Sequence, residues 1–123
     1  NRLKVPISID TYKSRVAEEA LKAGAEMIND ISALRMDKKM VRVAEKYNIP
    51  VVLMHMQGSP RIMQRHPHYR DVIAEIYQFL NNRIRFAENN GISQDKIIID
   101  PGIGFGKTTE HNLLIIKHLK KFT

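Results

Sequence analysis

At 123 residues the chain has room for one domain with one modest core. It contains no cysteine, which excludes disulfides and thiolate metal sites and fits a reducing cytoplasm. No apolar run approaches the roughly 20 residues that cross a bilayer, and Asn1-Arg2-Leu3-Lys4 has no signal-type apolar stretch behind it. The surplus of 20 Lys and Arg over 13 Asp and Glu gives +7, but the basic residues are scattered apart from Lys117-His118-Lys120-Lys121. They read as solvated helix faces; without an aromatic stacking platform or a recognition motif, they do not argue for nucleic acid.

The first apolar segment, Val5 to Asp10, reads as a strand; a helix follows from about Tyr12 to Ala23, with Val16, Ala17, Ala20 and Leu21 on one stripe. Gly24 then stands where a left-handed residue stops a helix. Glu26 to Ile31 is a second strand and Asp37 to Tyr47 a second helix, with Met40, Val41, Ala44 and Tyr47 inward and Asn48 in the stop position. Pro50 to His55 is a third strand. After Pro67 the residues Val72, Ile73, Ile76, Phe79, Leu80, Ile84 and Ala87 recur at helical steps, up to Gly91. Lys96 to Asp100 is a fourth strand, and a last helix starts after Thr108 with Leu113, Leu114, Ile116 and Leu119 apolar.

Each strand is nearly continuous in apolar residues, the pattern of parallel strands. The order β-α-β-α-β-α-β-α calls for right-handed crossovers in an all-parallel α/β fold. An open doubly wound sheet and a segment of a (βα)8 TIM barrel both fit. Both ends look cut, and a full barrel needs about 250 residues, so the expectation is about half a barrel, residues 1–123 forming one partial barrel domain.

The strands stop at polar residues: Asp10, Asn29-Asp30, His55 and Asp100. Parallel folds place such ends around a ligand mouth. A carboxylate there either caps the next helix, bonds loop amides, or meets a ligand. Two carboxylates and an amide suit a heteroring edge of alternating donors and acceptors such as that of a pterin; a divalent metal is the competing ligand. His55, between two methionines, is either a packed core histidine or a metal ligand. Met54 and Met56 are either an apolar wall for a flat ring or core filler.

Asp100-Pro101-Gly102-Ile103-Gly104-Phe105-Gly106-Lys107-Thr108 carries alternating glycines, which suggest a backbone that approaches a ligand closely. Pro101 stands where a Walker A loop needs its first Gly, and the third Gly arrives one residue early for a dinucleotide fingerprint, so neither nucleotide motif is met. Phe105 either reaches across the mouth or plugs it.

Taken together, ISIDT (Ile7 to Thr11), AGAEMINDIS (Ala23 to Ser32), LMHMQGSP (Leu53 to Pro60), the Pro67-to-Val72 helix entry, DPGIGFGK (Asp100 to Lys107) and His111-Asn112-Leu113 resemble the dihydropteroate synthase family over essentially the whole chain. The resemblance implies a (βα)8 barrel, dimeric and cytoplasmic, acting as a transferase in folate biosynthesis. It would join 6-hydroxymethyl-7,8-dihydropterin diphosphate to 4-aminobenzoate and release pyrophosphate, with Mg2+ assisting. It further implies that Asp10, Asn29 and Asp100 bind pterin, with Asp10 and Asp100 as the catalytic candidates. Ile31 and Met54 would be apolar walls, and Gly104 and Phe105 the loop beside pterin and aminobenzoate. The chain would correspond to the third through sixth barrel strands. The family's metal-contacting Asn, its Arg/Thr loop, its later Lys and its Arg-His pair have no counterpart here, so the metal ligand would lie outside this segment and the segment alone is expected to be inactive. Two rivals remain: the pterin domain of a methyltetrahydrofolate:corrinoid methyltransferase and a noncatalytic pterin-binding module. The Met54–Gly58 stretch and the glycine loop favour the synthase.

Overall fold

The computed structural model describes residues 4–123; the Asn1-Arg2-Leu3 stretch read above for a leader lies outside them. The strands are β1 (Ser8–Asp10), β2 (Met27–Asp30), β3 (Val51–Met54) and β4 (Ile97–Asp100). The helices are α1 (Ser14–Lys22), α2 (Met40–Tyr47), α3 (Val72–Asn89) and α4 (Thr109–Lys117). All strand pairs are parallel and the sheet order is β1-β2-β3-β4. A doubly wound sheet reverses its order at a switch point; this sheet runs in sequence without one, as a barrel wall does.

Strand register sorts the side chains into two faces, because alternate residues point oppositely. Ile9, Ile28, Val51 and Ile97 align across the sheet, as do Asp30, Leu53 and Ile99. This face meets the helices: Ile28, Val51 and Leu53 are buried with Ala17, Leu21, Met40, Val41, Ala44 and Ala87. A second cluster joins Val72, Ile76 and Leu80 of α3 to Ile115 and Phe122, with Ile99 packed against it. Among the described residues no layer covers the opposite face; Ser8 and Asp10 are exposed on it and Ile98 is 41% exposed.

Local chemistry sets the boundaries. Strand β1 begins at Ser8 rather than Val5, which is 60% exposed, and the preceding Pro6 has no N–H for a ladder. Helix α1 lacks a cap from its own N-cap, Lys13; instead the Asp37 carboxylate accepts from Ser14 N–H at 2.8 Å. Those bonds from Ser14 hold the Asp37 carboxyl below its ordinary pKa. Asp37 is thereby committed outside α2, which starts at Met40. Asn48 closes α2 in the left-handed region, φ 49° and ψ 45°, and Gly24 follows α1 at φ 105°, both as the stop signals predict. Asp71 caps α3 by accepting from Ile73 and Ala74, and Thr108 and His111 form a capping box on α4.

Two helix stripes differ from expectation. Val16 points outward, 45% exposed, and Ser14 takes its place in the buried row with Ala17 and Leu21. On α4 the buried residue is Ile115, while Leu113, Ile116 and Leu119 face outward. An 18-residue α3 defines its inner stripe over five turns; nine residues rich in Leu and Ile do not.

Candidate functional site

The open face carries the strand-end residues singled out above. Asp10 lies opposite Asn29, Asn29 opposite Val52 and Val52 opposite Ile98, forming one row. Met54 and Asp100 pair two residues further along and so share that face. Standard sheet spacings put the α-carbons of Asp10 and Asn29 about 5 Å apart, and those of Asn29 and Asp100 on the order of 12 Å apart. Ile31, half-buried, continues the Asn29 parity just past β2.

Helix capping and loop bonding account for only some of the strand-end carboxylates. Asp10 does not cap the helix that follows it, since Ser14 N–H already goes to Asp37. Neither the Asp10 nor the Asn29 side chain makes a hydrogen bond within the described residues, and no buried side-chain polar atom lacks one, so both are left to the open face. Asp30, one residue along, points the other way and is fully buried. Its two oxygens accept from Ser32 N–H at 2.8 Å, Ser32 Oγ at 2.7 Å and Leu34 N–H at 2.9 Å. Those bonds hold Ala33 and Leu34 at φ 51° and 64°, and Arg83 of α3 donates to both of their carbonyls. Asp100 is intermediate: Oδ1 accepts from Gly102 N–H at 2.7 Å, and no bond within the described residues engages Oδ2.

The glycines act differently from expectation. A Cβ on Gly102 would sit 2.0 Å from the His55 carbonyl oxygen, and one on Gly106 would sit 2.9 Å from the Gln57 carbonyl oxygen. The close approach of Gly102 and Gly106 is therefore to the backbone after β3. Only Gly104, at φ 85°, has open space around it. Phe105, beside it, is half-buried. Met54 is buried beneath the loop, where a Gly102 Cβ would meet its Cγ at 3.2 Å, and Met56 is core.

Under this loop lies a group that pattern reading did not assign to the site. Lys107 is 3% exposed, and its Nζ lies 2.8 Å from Gly102 O, 2.9 Å from Phe105 O, 3.3 Å from His55 O and 3.0 Å from His55 Nδ1. Burial lowers the Lys107 pKa to about 8, with the Asp100 charge opposing that shift. His55 is itself buried, edge-on to Phe79 at 4.9 Å between ring centroids. Burial first, then the charges of Lys107 and Arg35, lower its pKa to about 3. A neutral ring accepts at Nδ1, so the proton sits on Nε2. His55 is thus the packed core histidine of the two readings. Gln64, Asn112 and Tyr69 fasten the loop from outside, through Gly104 O, Gly104 N and Gly106 O. Their separation in sequence, 37 residues for Tyr69 and 40 for Gln64, left no local signal.

Among the described residues no three His, Cys, Asp or Glu side chains cluster as a cation site. The residues present do not fit the implied Mg2+. A cavity of about 810 Å³ lies between the start of α3 and α4, lined by Tyr69, Arg70, His111, His118 and Lys121 among others. It holds none of the strand-end groups, because an open sheet face encloses no volume until something covers it.

Sequential parallel strands, with helices packed on one side, define a segment of a βα-barrel protein. The family model described as pterin binding enzyme matches residues 1–123, and the chain belongs to that family. It is 43% identical over 117 residues to the dihydropteroate synthase of a Synechocystis species, covering 95% of this chain and 40% of that protein. The crystal structure of dihydropteroate synthase from Stenotrophomonas maltophilia, with imidazole in its active site, superposes with a TM-score of 0.94 at 49% identity, over 98% of this chain and 45% of that one. The Xanthomonas albilineans dihydropteroate synthase in complex with 7,8-dihydropteroate gives a TM-score of 0.89 at 42% identity, over 98% and 43%. The chain thus spans less than half the length of the relatives it matches.

Proposed function

We propose that residues 1–123 are a partial barrel domain, the third through sixth strands of a dihydropteroate synthase. The observation that carries the reading is the strand-end row: Asp10 and Asn29 side by side with no side-chain hydrogen bond among the described residues, and Asp100 beyond them with one carboxylate oxygen unengaged by those residues. A flat bicycle lying over that face spans the gap from Asn29 to Asp100 with one hydrogen bond at each end. Asp100 Oδ2 accepts from the ring's N–H edge while Gly102 N–H holds Oδ1, so the carboxylate is aimed before the ligand arrives. Asn29 donates and accepts at the other edge. Ile31 supplies an apolar wall, and Gly104 and Phe105 close the side where the second substrate enters; Met54, buried beneath the loop, supports the site from behind and does not line it.

The reaction places little covalent work on this segment. The bond from the pterin methylene carbon to the diphosphate oxygen breaks, and its electron pair leaves with pyrophosphate. The 4-aminobenzoate nitrogen then donates its lone pair to that carbon and loses a proton. Positive charge on the pterin rises as the first bond breaks, and Asp10 and Asp100 stabilise it, the latter without reorganising because Gly102 N–H already holds it. By family resemblance the residues that would hold an assisting Mg2+ lie outside this segment. By family resemblance the whole enzyme would be a cytoplasmic homodimer, and this segment by itself inactive.

The test uses the full-length protein. Pyrophosphate release that requires both dihydropterin diphosphate and 4-aminobenzoate supports the proposal. Pterin binding without turnover would make the protein a binding module, and methyl transfer from methyltetrahydrofolate without dihydropteroate formation would move it to the corrinoid branch.

A further inference from the structure

The Lys107 ammonium lies beneath the loop that follows β4 and faces away from the open surface where substrate would sit. Its three protons meet four acceptors: the carbonyls of Gly102, Phe105 and His55, and the imidazole Nδ1 of His55. A buried ammonium is costly unless partnered throughout, and here every partner belongs to one of two segments. Gly102 and Phe105 lie in the glycine loop; His55 ends the run of β3. The lysine therefore ties the loop to the neighbouring strand at the point where Gly102 also approaches His55 most closely.

The Gly102 residue joins this tie to the candidate site. Its N–H donates to Asp100 Oδ1 at 2.7 Å, and its C=O accepts from Lys107 Nζ at 2.8 Å. One residue thus has its amide on the carboxylate and its carbonyl on the ammonium. The backbone of Asp100 is held from the same side, His55 N–H donating to Asp100 O at 2.9 Å. We propose that Lys107 is a positioning residue: anchored on His55, it sets the Gly102–Phe105 loop and, through Gly102, the direction of the Asp100 carboxylate. It touches no substrate. This inference rests on the pterin reading of Asp100.

The role explains why the position needs a long cation. A methionine of similar length would leave the Gly102 and Phe105 carbonyls without their donor. A histidine or an asparagine would not reach both segments.

The test measures affinity for 6-hydroxymethyl-7,8-dihydropterin by calorimetry in the full-length protein. Lys107→Met is expected to weaken binding by roughly tenfold to a hundredfold, the range of a lost hydrogen bond to a charged group. In an Asp100→Asn background the same substitution is expected to change affinity by less than about threefold, since the effect passes through Asp100. A purely structural lysine would cost the same in both backgrounds. Should Lys107→Met fail to fold, Lys107→Gln, which keeps a donor, carries the same cycle with a smaller loss. Equal affinity of the single variant and wild type, equal losses in the two backgrounds, or failure of both variants to fold would each overturn the proposal. Wild-type protein that does not bind the dihydropterin would overturn the pterin reading itself, a separate result.

Discussion

Replacing Gly102 by alanine isolates the contact on which the strand-end loop depends. The added methyl would stand 2.0 Å from the His55 carbonyl oxygen, 3.1 Å from its carbon and 3.2 Å from Met54 Cγ. Backbone atoms of a central strand end cannot yield that distance, so the loop must lift. Lifting it breaks the Gly102 bonds to Asp100 Oδ1 and to Lys107 Nζ. Each leaves a buried or half-buried polar group short of a partner, at about 1–3 kcal/mol apiece. The φ of 70° adds about 1–2 kcal/mol for any residue with a Cβ. The expected loss of stability is therefore about 3 kcal/mol or more. Gly104→Ala is the matched control: at φ 85° it carries the same conformational term, but its methyl would meet nothing within 4 Å. Its cost stays near 1–2 kcal/mol. Urea denaturation of the two full-length variants, with equal slopes against denaturant, measures the difference. Variants that differ by less than about 0.5 kcal/mol would refute the close-approach argument.

Asp71→Ala removes both side-chain bonds at the start of α3 and is expected to cost about 1 kcal/mol by the same denaturation assay. His55 is neutral when folded, with its pKa lowered to about 3 from 6.5. The unfolded chain therefore binds the extra proton between those values. The stability this contributes is complete above pH 6.5 and is lost as pH falls toward 3, to a limit on the order of 5 kcal/mol. His55→Asn, which keeps an acceptor and removes the titration, should show a shallower fall in stability between pH 6.5 and 4; parallel profiles would count against the buried neutral ring. Asp30→Ala strips three bonds from a fully buried carboxylate and frees two residues held at positive φ, so a loss of about 3 kcal/mol or more is expected by thermal or urea unfolding.

Strand and helix order were legible because the strand runs ended at Asn, His or a carboxylate and the first three helices at Gly or Asn, and those residues act locally. Asn48 and Gly24 stopped their helices as such residues do. The faces were legible in principle from the period of two, which separates Asn29 from Asp30; both close a strand, yet one meets the open face and the other the core. Helix α4 was harder, because Leu113, Leu114, Ile115 and Ile116 present apolar groups on every side and only packing against α3 selects Ile115. The glycines of the loop were read as making room for a ligand, whereas Gly102 and Gly106 make room for the chain's own carbonyls. Nothing local reveals that, since Lys107 and His55 are 52 residues apart. A buried lysine paired with a histidine is a property of the register between β3 and β4, which only the folded sheet defines.

The central claim is that a planar pterin lies on the open sheet face between Asn29 and Asp100. A crystal structure of the full-length protein soaked with 6-hydroxymethyl-7,8-dihydropterin diphosphate tests it directly. The account predicts ring nitrogens within about 3.2 Å of Asp100 Oδ2 and of the Asn29 amide. A ring seated elsewhere, for instance in the groove between α3 and α4 beside Arg70 and His118, with Asp10, Asn29 and Asp100 untouched, would contradict it.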